Sequence, residues 1–118
     1  MNEKTITILD REVRLRYCAA TENGFEQLRK KSIQELDYRK QEDLIALAMA
    51  AVIAAYARTE EEPPIKSEDL LYDAKPTDII KLMQAVLELR NEWYEVTPVV
   101  AETLDKENVP NDESPKNS

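Results

Sequence analysis

Between Leu44 and Ala57 the chain reads LIALAMAAVIAAYA, 14 consecutive residues without a charge. The run is too long for an ordinary strand and too short for a bilayer, which takes roughly 18 to 20 apolar residues. It predicts a buried helix. Gln41, Glu42 and Asp43 supply a polar first turn, with acids at the positive end of the helix dipole, so the helix is placed at about 41–58. A helix that is apolar nearly all round belongs at the centre of a fold. Its small residues, Ala46, Ala48, Ala50, Ala51, Ala54 and Ala55, let neighbours come close. The rest of the 118-residue chain must supply the cover.

Residues 5–18 alternate as a strand pair does. Val13, Leu15 and Tyr17 fall on one face and Glu12, Arg14 and Arg16 on the other, while Ile6 and Ile8 alternate with Thr5 and Thr7. A β-hairpin turning at Asp10-Arg11 is expected. Arg11, Arg14 and Arg16 concentrate positive charge in an otherwise acidic chain and read as its solvated outer face. Next, Thr21 fits an N-cap, Phe25 and Leu28 have helical spacing, and Arg29, Lys30 and Lys31 suit the negative end of a helix dipole. This predicts a helix over about 21–31. Ser32-Ile33-Gln34-Glu35 has the spacing of a capping box leading through Leu36 and Tyr38.

After the central helix, Thr59-Glu60-Glu61-Glu62-Pro63-Pro64 reads as a solvated loop, because adjacent glutamates diverge and two prolines cannot continue a helix. Ser67-Glu68-Asp69 opens a short helix over 67–73 carrying Leu70, Leu71 and Tyr72. Lys75-Pro76-Thr77-Asp78 opens the last helix, 76–95, with Pro near its first position. Along it Ile79, Met83, Val86, Arg90 and Trp93 form one line, and Ile80, Leu87 and Tyr94 form another beside it. From Thr97 the chain is polar, with Pro98, Pro110 and Pro115 and scattered aliphatics, the composition of a disordered tail. The fold class is α+β and mostly helical: an N-terminal β-hairpin, about four helical segments and a disordered acidic tail. One compact domain is expected over 1–96, with the tail at 97–118.

Composition excludes much chemistry. With no His, one Cys and one Gly, the chain cannot supply a Ser-His-Asp or Cys-His pair, a thiolate or imidazole zinc cage, or a Gly-rich phosphate loop. An enzyme would have to use carboxylates such as Asp43, Asp69, Asp73 or Asp78, and these lie mostly where helices begin, where acids cap. No enzyme activity, cofactor or metal is therefore expected. A net charge of −8 argues against a nucleic-acid partner, and no apolar run is long enough for a membrane. Lone Cys18 fits a reducing compartment, and Met1 to Thr5 carry no secretory pattern. A cytoplasmic location follows.

The order of elements, carried by ITILDREVRLRYCAATENGFEQLRKKS, DLIALAMAAVIAAYAR and SEDLLYDAKPTDIIKLMQAVLELRNEW, resembles the small tail assembly chaperones of long-tailed bacteriophages. The resemblance covers about residues 5–95 and is one of layout, with no signature motif. It implies a non-enzymatic protein of the host cytoplasm that binds the tape-measure protein and keeps its apolar helices soluble while the tail forms. It transfers no catalytic residue. A chaperone of this kind must offer apolar surface yet stay soluble through net charge, and this sequence suits both demands. Two other readings stay open: a phage structural or connector protein that oligomerises through its last helix, and a small acidic adaptor.

If the chain binds a helix, aromatic anchors beside an apolar groove are required. Trp93 and Tyr94 are the first candidates, with Ile80, Met83, Val86 and Leu87 as the groove. The same residues also suit closing the protein's own core, Met83 and Val86 more than Tyr94, with Trp93 between. Self-association through the hairpin edge or the last helix is a further expectation.

Overall fold

A two-stranded antiparallel hairpin and four α-helices make up the structure, a computed structural model that describes residues 2–95. The tail expected at 97–118 lies outside the described residues. Strand β1 is Glu3–Ile8 and β2 is Arg11–Arg16. Helix α1 is Ala19–Arg29, α2 is Gln41–Tyr56, α3 is Ser67–Tyr72 and α4 is Pro76–Glu95, with a single 3₁₀ turn at Ile33–Glu35 before α2.

The hairpin pairs Ile8 with Arg11 and Ile6 with Val13, so the turn is Leu9-Asp10, one residue earlier than Asp10-Arg11. Both turn residues are left-handed, at φ 53° and 59°, as the type I′ turns that match strand twist require. The shift has a tertiary cause. Leu9 donates its N–H to Asp78 and packs against the core, while the Arg11 guanidinium donates to the Pro64 carbonyl at 2.9 Å. The expected alternation holds beyond the turn: Ile8, Val13, Leu15 and Tyr17 are buried and Glu12 and Arg16 are exposed. The outer arginines are more than solvating charge. Arg11 also meets Asp69, and Arg14 meets Glu61 and lies over the Tyr56 ring at 4.6 Å, so both tie the hairpin to the segment after α2.

Thr21, expected as a cap, instead sits in the first turn of α1, which begins two residues before the expected start. Its buried hydroxyl donates to the Arg16 carbonyl at 2.6 Å and accepts from the Cys18 N–H at 3.2 Å, joining the end of β2 to the start of the helix. Lys30, in the left-handed region, ends α1 and donates to the Glu26 carbonyl. At Gly24 the backbone comes so close to α2 that a Cβ there would lie 3.0 Å from the Ala50 Cβ. The small residues of α2 thus act as predicted, and the chain's single glycine is spent on the same contact.

α2 is central, packed by α1, β2 and α4. Its first turn carries the fold's buried ionic centre. Asp43 is closed from solvent and accepts from Arg29 Nε at 2.8 Å, Lys31 Nζ at 2.7 Å and the Asp37 N–H at 2.9 Å. Burial alone would push its carboxyl up, but the bonds from Lys31, the Asp37 backbone and Arg29 bring it down to about 2. Asp43 therefore holds the end of α1 and the following connection against the start of α2.

On α4 the buried line is Leu82, Ala85, Val86 and Leu89. Of the two lines read from the sequence, the one through Ile79, Met83, Val86, Arg90 and Trp93 is only partly covered apart from Val86. The apolar arc of this helix is wider than the hairpin and α2 can bury, and the surplus side chains define the site below.

Candidate functional site

The surplus gathers into one apolar groove. It has a volume of about 710 Å³ and lies among four helices: Leu28 from α1, Ile45, Ala46 and Met49 from α2, Leu70 and Leu71 from α3, and Pro76, Ile79, Ile80 and Met83 from α4, with Ala74 between the last two. The polar residues in the lining are Arg29, Gln41, Glu42 and Ser67. The local reasons are simple. A six-residue helix with Leu70-Leu71-Tyr72 in succession can bury one of the three, and Leu70 takes that place, leaving Leu71 74% exposed. Leu28 and Ile80 stand about half exposed. Exposed apolar side chains gathered along one groove are the mark of a contact surface.

The size and chemistry suit the side chains of an amphipathic helix. Apolar positions recurring at i, i+3, i+4 and i+7 form a ridge, and a groove of this volume accepts several of its side chains at once. Met49 and Met83 give walls that repack around different shapes. Arg29, already bound to Asp43, is fixed at the margin.

The six residues singled out in the sequence divide. Ile80 and Met83 line the groove. Val86 is fully buried in the core, so its place in the groove is corrected: its position on α4 points at the hairpin and α2. Leu87 is half-buried and lies outside the groove lining. Trp93 packs against the core, its ring 6.2 Å from that of Tyr17. Tyr94 is 43% exposed and lies at the far end of α4, where its hydroxyl donates to Glu22 at 2.5 Å. Tyr17 donates to the same carboxylate oxygen at 2.8 Å. The Arg90 guanidinium lies 4.9 Å from the Tyr94 ring centre and bonds to the Tyr38 hydroxyl. Burial, and then Glu22, push the Tyr17 phenol well up; the same causes push Tyr94 up to about 12. This aromatic and ionic cluster locks α4 to α1 and to the connection before α2, so neither aromatic lines the groove.

Comparison with known protein families, with curated proteins and with solved structures finds nothing that matches this chain. The site must be read from its own residues. Leu28, Ile45, Met49 and Leu71 were missed in the sequence as groove residues; the signal available was the Leu-Leu-Tyr succession in α3, too apolar for so short a helix.

Three of the four carboxylates considered for an enzyme, all but Asp73, hold structural bonds. Asp43 holds Arg29 and Lys31, Asp69 accepts from the Lys66 N–H at 2.9 Å at the start of α3, and Asp78 accepts from the Lys75 N–H at 3.1 Å at the start of α4. Among the described residues no three Cys, Asp or Glu side chains are grouped to hold a metal ion, and no helix is long and apolar enough to cross a membrane.

Proposed function

We propose that this chain is a non-enzymatic chaperone of the phage tail-assembly kind, which holds apolar helical segments of a tape-measure protein in the groove between α1, α2, α3 and α4. The observation that carries the reading is the groove itself, an apolar channel of about 710 Å³ edged by Leu28, Leu71 and Ile80, whose exposure the fold does not need. A net charge of −8 keeps a protein with such a surface soluble. The groove presents few polar atoms, so it suits a partner recognised by shape and apolar pattern more than by sequence. That tolerance is what a chaperone of one long, repetitive helix requires. In this reading the protein acts in the host cytoplasm before the tail tube closes and takes no cofactor.

The test begins with the DNA beside the gene, where a very long, helix-forming open frame is expected downstream. Segments of that product are co-expressed with the chain and recovered through a tag. Recovery with the wild type, lost in Leu71→Asp and Ile80→Asp while thermal stability stays unchanged, supports the proposal. A downstream region holding only metabolic or regulatory genes overturns the tail-assembly reading. Recovery that both variants leave intact overturns the groove as the site.

A further inference from the structure

The hairpin register decides which backbone groups point away from it. The Tyr17 N–H donates to the Asn2 carbonyl at 2.7 Å, and the two-residue turn pairs Ile8 with Arg11. The even residues of β1 therefore bond to β2, while Glu3, Thr5 and Thr7 turn their N–H and C=O groups outward. All three residues are exposed. Lys81 Nζ takes the Thr7 carbonyl at 3.0 Å, and the outward groups of Glu3 and Thr5 have no hydrogen-bond partner among the described residues. The outer edge of β2 is partly closed: the Arg14 N–H donates to the Tyr56 hydroxyl, and the Thr21 hydroxyl donates to the Arg16 carbonyl. β1 is thus the more open edge, and its Thr-Ile-Thr-Ile sequence has high strand propensity.

We propose that β1 is a dimerisation edge, pairing antiparallel with β1 of a second copy about a two-fold axis through Thr5. Charge selects both the occupant and the register. An axis at Glu3 or Lys4 sets that residue opposite itself, which opposes like charges. An axis at Ile6 runs Glu3 against the turn residue Leu9 and shortens the overlap. With the axis at Thr5, Thr5 faces Thr5, Glu3 faces Thr7, and the strands overlap over residues 2–8. Helix α4 runs beside β1 in the opposite sense, with Lys81 level with Thr7, and Glu88 and then Glu92 near Lys4. The two-fold reverses this order, so Lys81 of each copy approaches Glu88 and Glu92 of the other. The edge is self-complementary in backbone pattern and in charge, and the product is a closed four-stranded sheet with no open β1 edge. This inference is independent of the groove, which lies among the helices.

Light scattering coupled to size-exclusion chromatography tests it on the full chain. Thr5→Pro removes the central outward N–H without touching the bonds between β1 and β2, at an edge position where Pro is tolerated. Lys81→Glu reverses the charge on α4 and leaves the strand sequence unchanged, while removing the bond from Lys81 to the Thr7 carbonyl. The wild type is expected to dimerise at millimolar chain concentration, with Thr5→Pro raising the dimer dissociation constant about tenfold or more. Lys81→Glu is expected to raise it as well. A wild type that stays monomeric at that concentration overturns the proposal, as does a dimer that both variants leave unchanged. If circular dichroism shows Thr5→Pro unfolded, Lys81→Glu decides alone, and an unaltered dimer constant overturns the proposal.

Discussion

Replacing Asp43 by Asn tests whether the ion centre at the start of α2 holds the helices together. Asn keeps the shape and can still accept the Asp37 N–H, so what is lost is charge facing Arg29 and Lys31. A carboxyl held at about 2 in place of its ordinary 3.8 corresponds to about 2 kcal/mol, since one pH unit is worth about 1.4 kcal/mol. The two cations are 32% and 21% exposed and regain water when unpaired, so the loss should not greatly exceed that figure. In a domain of this size it lowers the melting temperature by roughly 10 °C. Urea unfolding followed through Trp93, the single tryptophan, measures it. Because the folded carboxyl is depressed, its contribution is fully present above pH 4 and is lost as pH falls from about 4 to about 2. Asp43→Asn should lack that part of the acid loss. A variant within about 0.5 kcal/mol of wild type, or one with the same acid slope, would falsify the assignment of this stability to Asp43.

Three further outcomes follow from the packing. Asp10→Gly, at an exposed position with φ 59°, should stabilise the hairpin by about 0.5–1 kcal/mol, and a lower melting temperature would contradict the turn geometry. Gly24→Leu should cost about 2 kcal/mol or more by forcing α1 off Ala50, and Ala50→Gly in the same chain should restore part of it; a neutral Gly24→Leu in urea unfolding would contradict the close approach. On the alkaline side, Tyr17 and Tyr94 keep their protons above the pH near 10 at which unfolded tyrosines lose theirs. Their contribution is complete below pH 10 and falls as pH rises above it, through about 12 for Tyr94 and further for Tyr17, so unfolding should become easier as pH climbs above 10. Phenolate absorbance in which all five tyrosines titrate near 10 in the folded chain would refute it.

The parts of the fold legible in the sequence are those where one physical demand dominates. LIALAMAAVIAAYA had nowhere to go but the centre, and the alternation of Val13, Leu15 and Tyr17 admits one buried face. Local details were misplaced where neighbouring and distant contacts set them: Thr21 serves the helix start from its third position, accepting from the Cys18 N–H and donating to Arg16, and the turn moved because Leu9 and Arg11 gain contacts with Asp78 and Pro64. The groove was half legible. Ile80 and Met83 were visible as apolar residues on α4, but an arc that wide does not say which line faces inward, and the hairpin and α2 chose Leu82, Ala85, Val86 and Leu89. Walls supplied by Leu28, Met49 and Leu71 come from three other helices, and one sequence carries no signal of how those helices are set against each other.

The central claim is that the four-helix groove receives an apolar helix. Its most direct test is methyl NMR of the chain labelled at Ile, Leu and Met, titrated with a helical segment of the long protein that the proposed function expects to be encoded downstream. Shifts concentrated at Met49, Met83, Leu71 and Ile80, with Ile8 and Leu15 of the hairpin unmoved, are the result the groove predicts. Shifts confined to the hairpin, or none at saturating concentration, would contradict it.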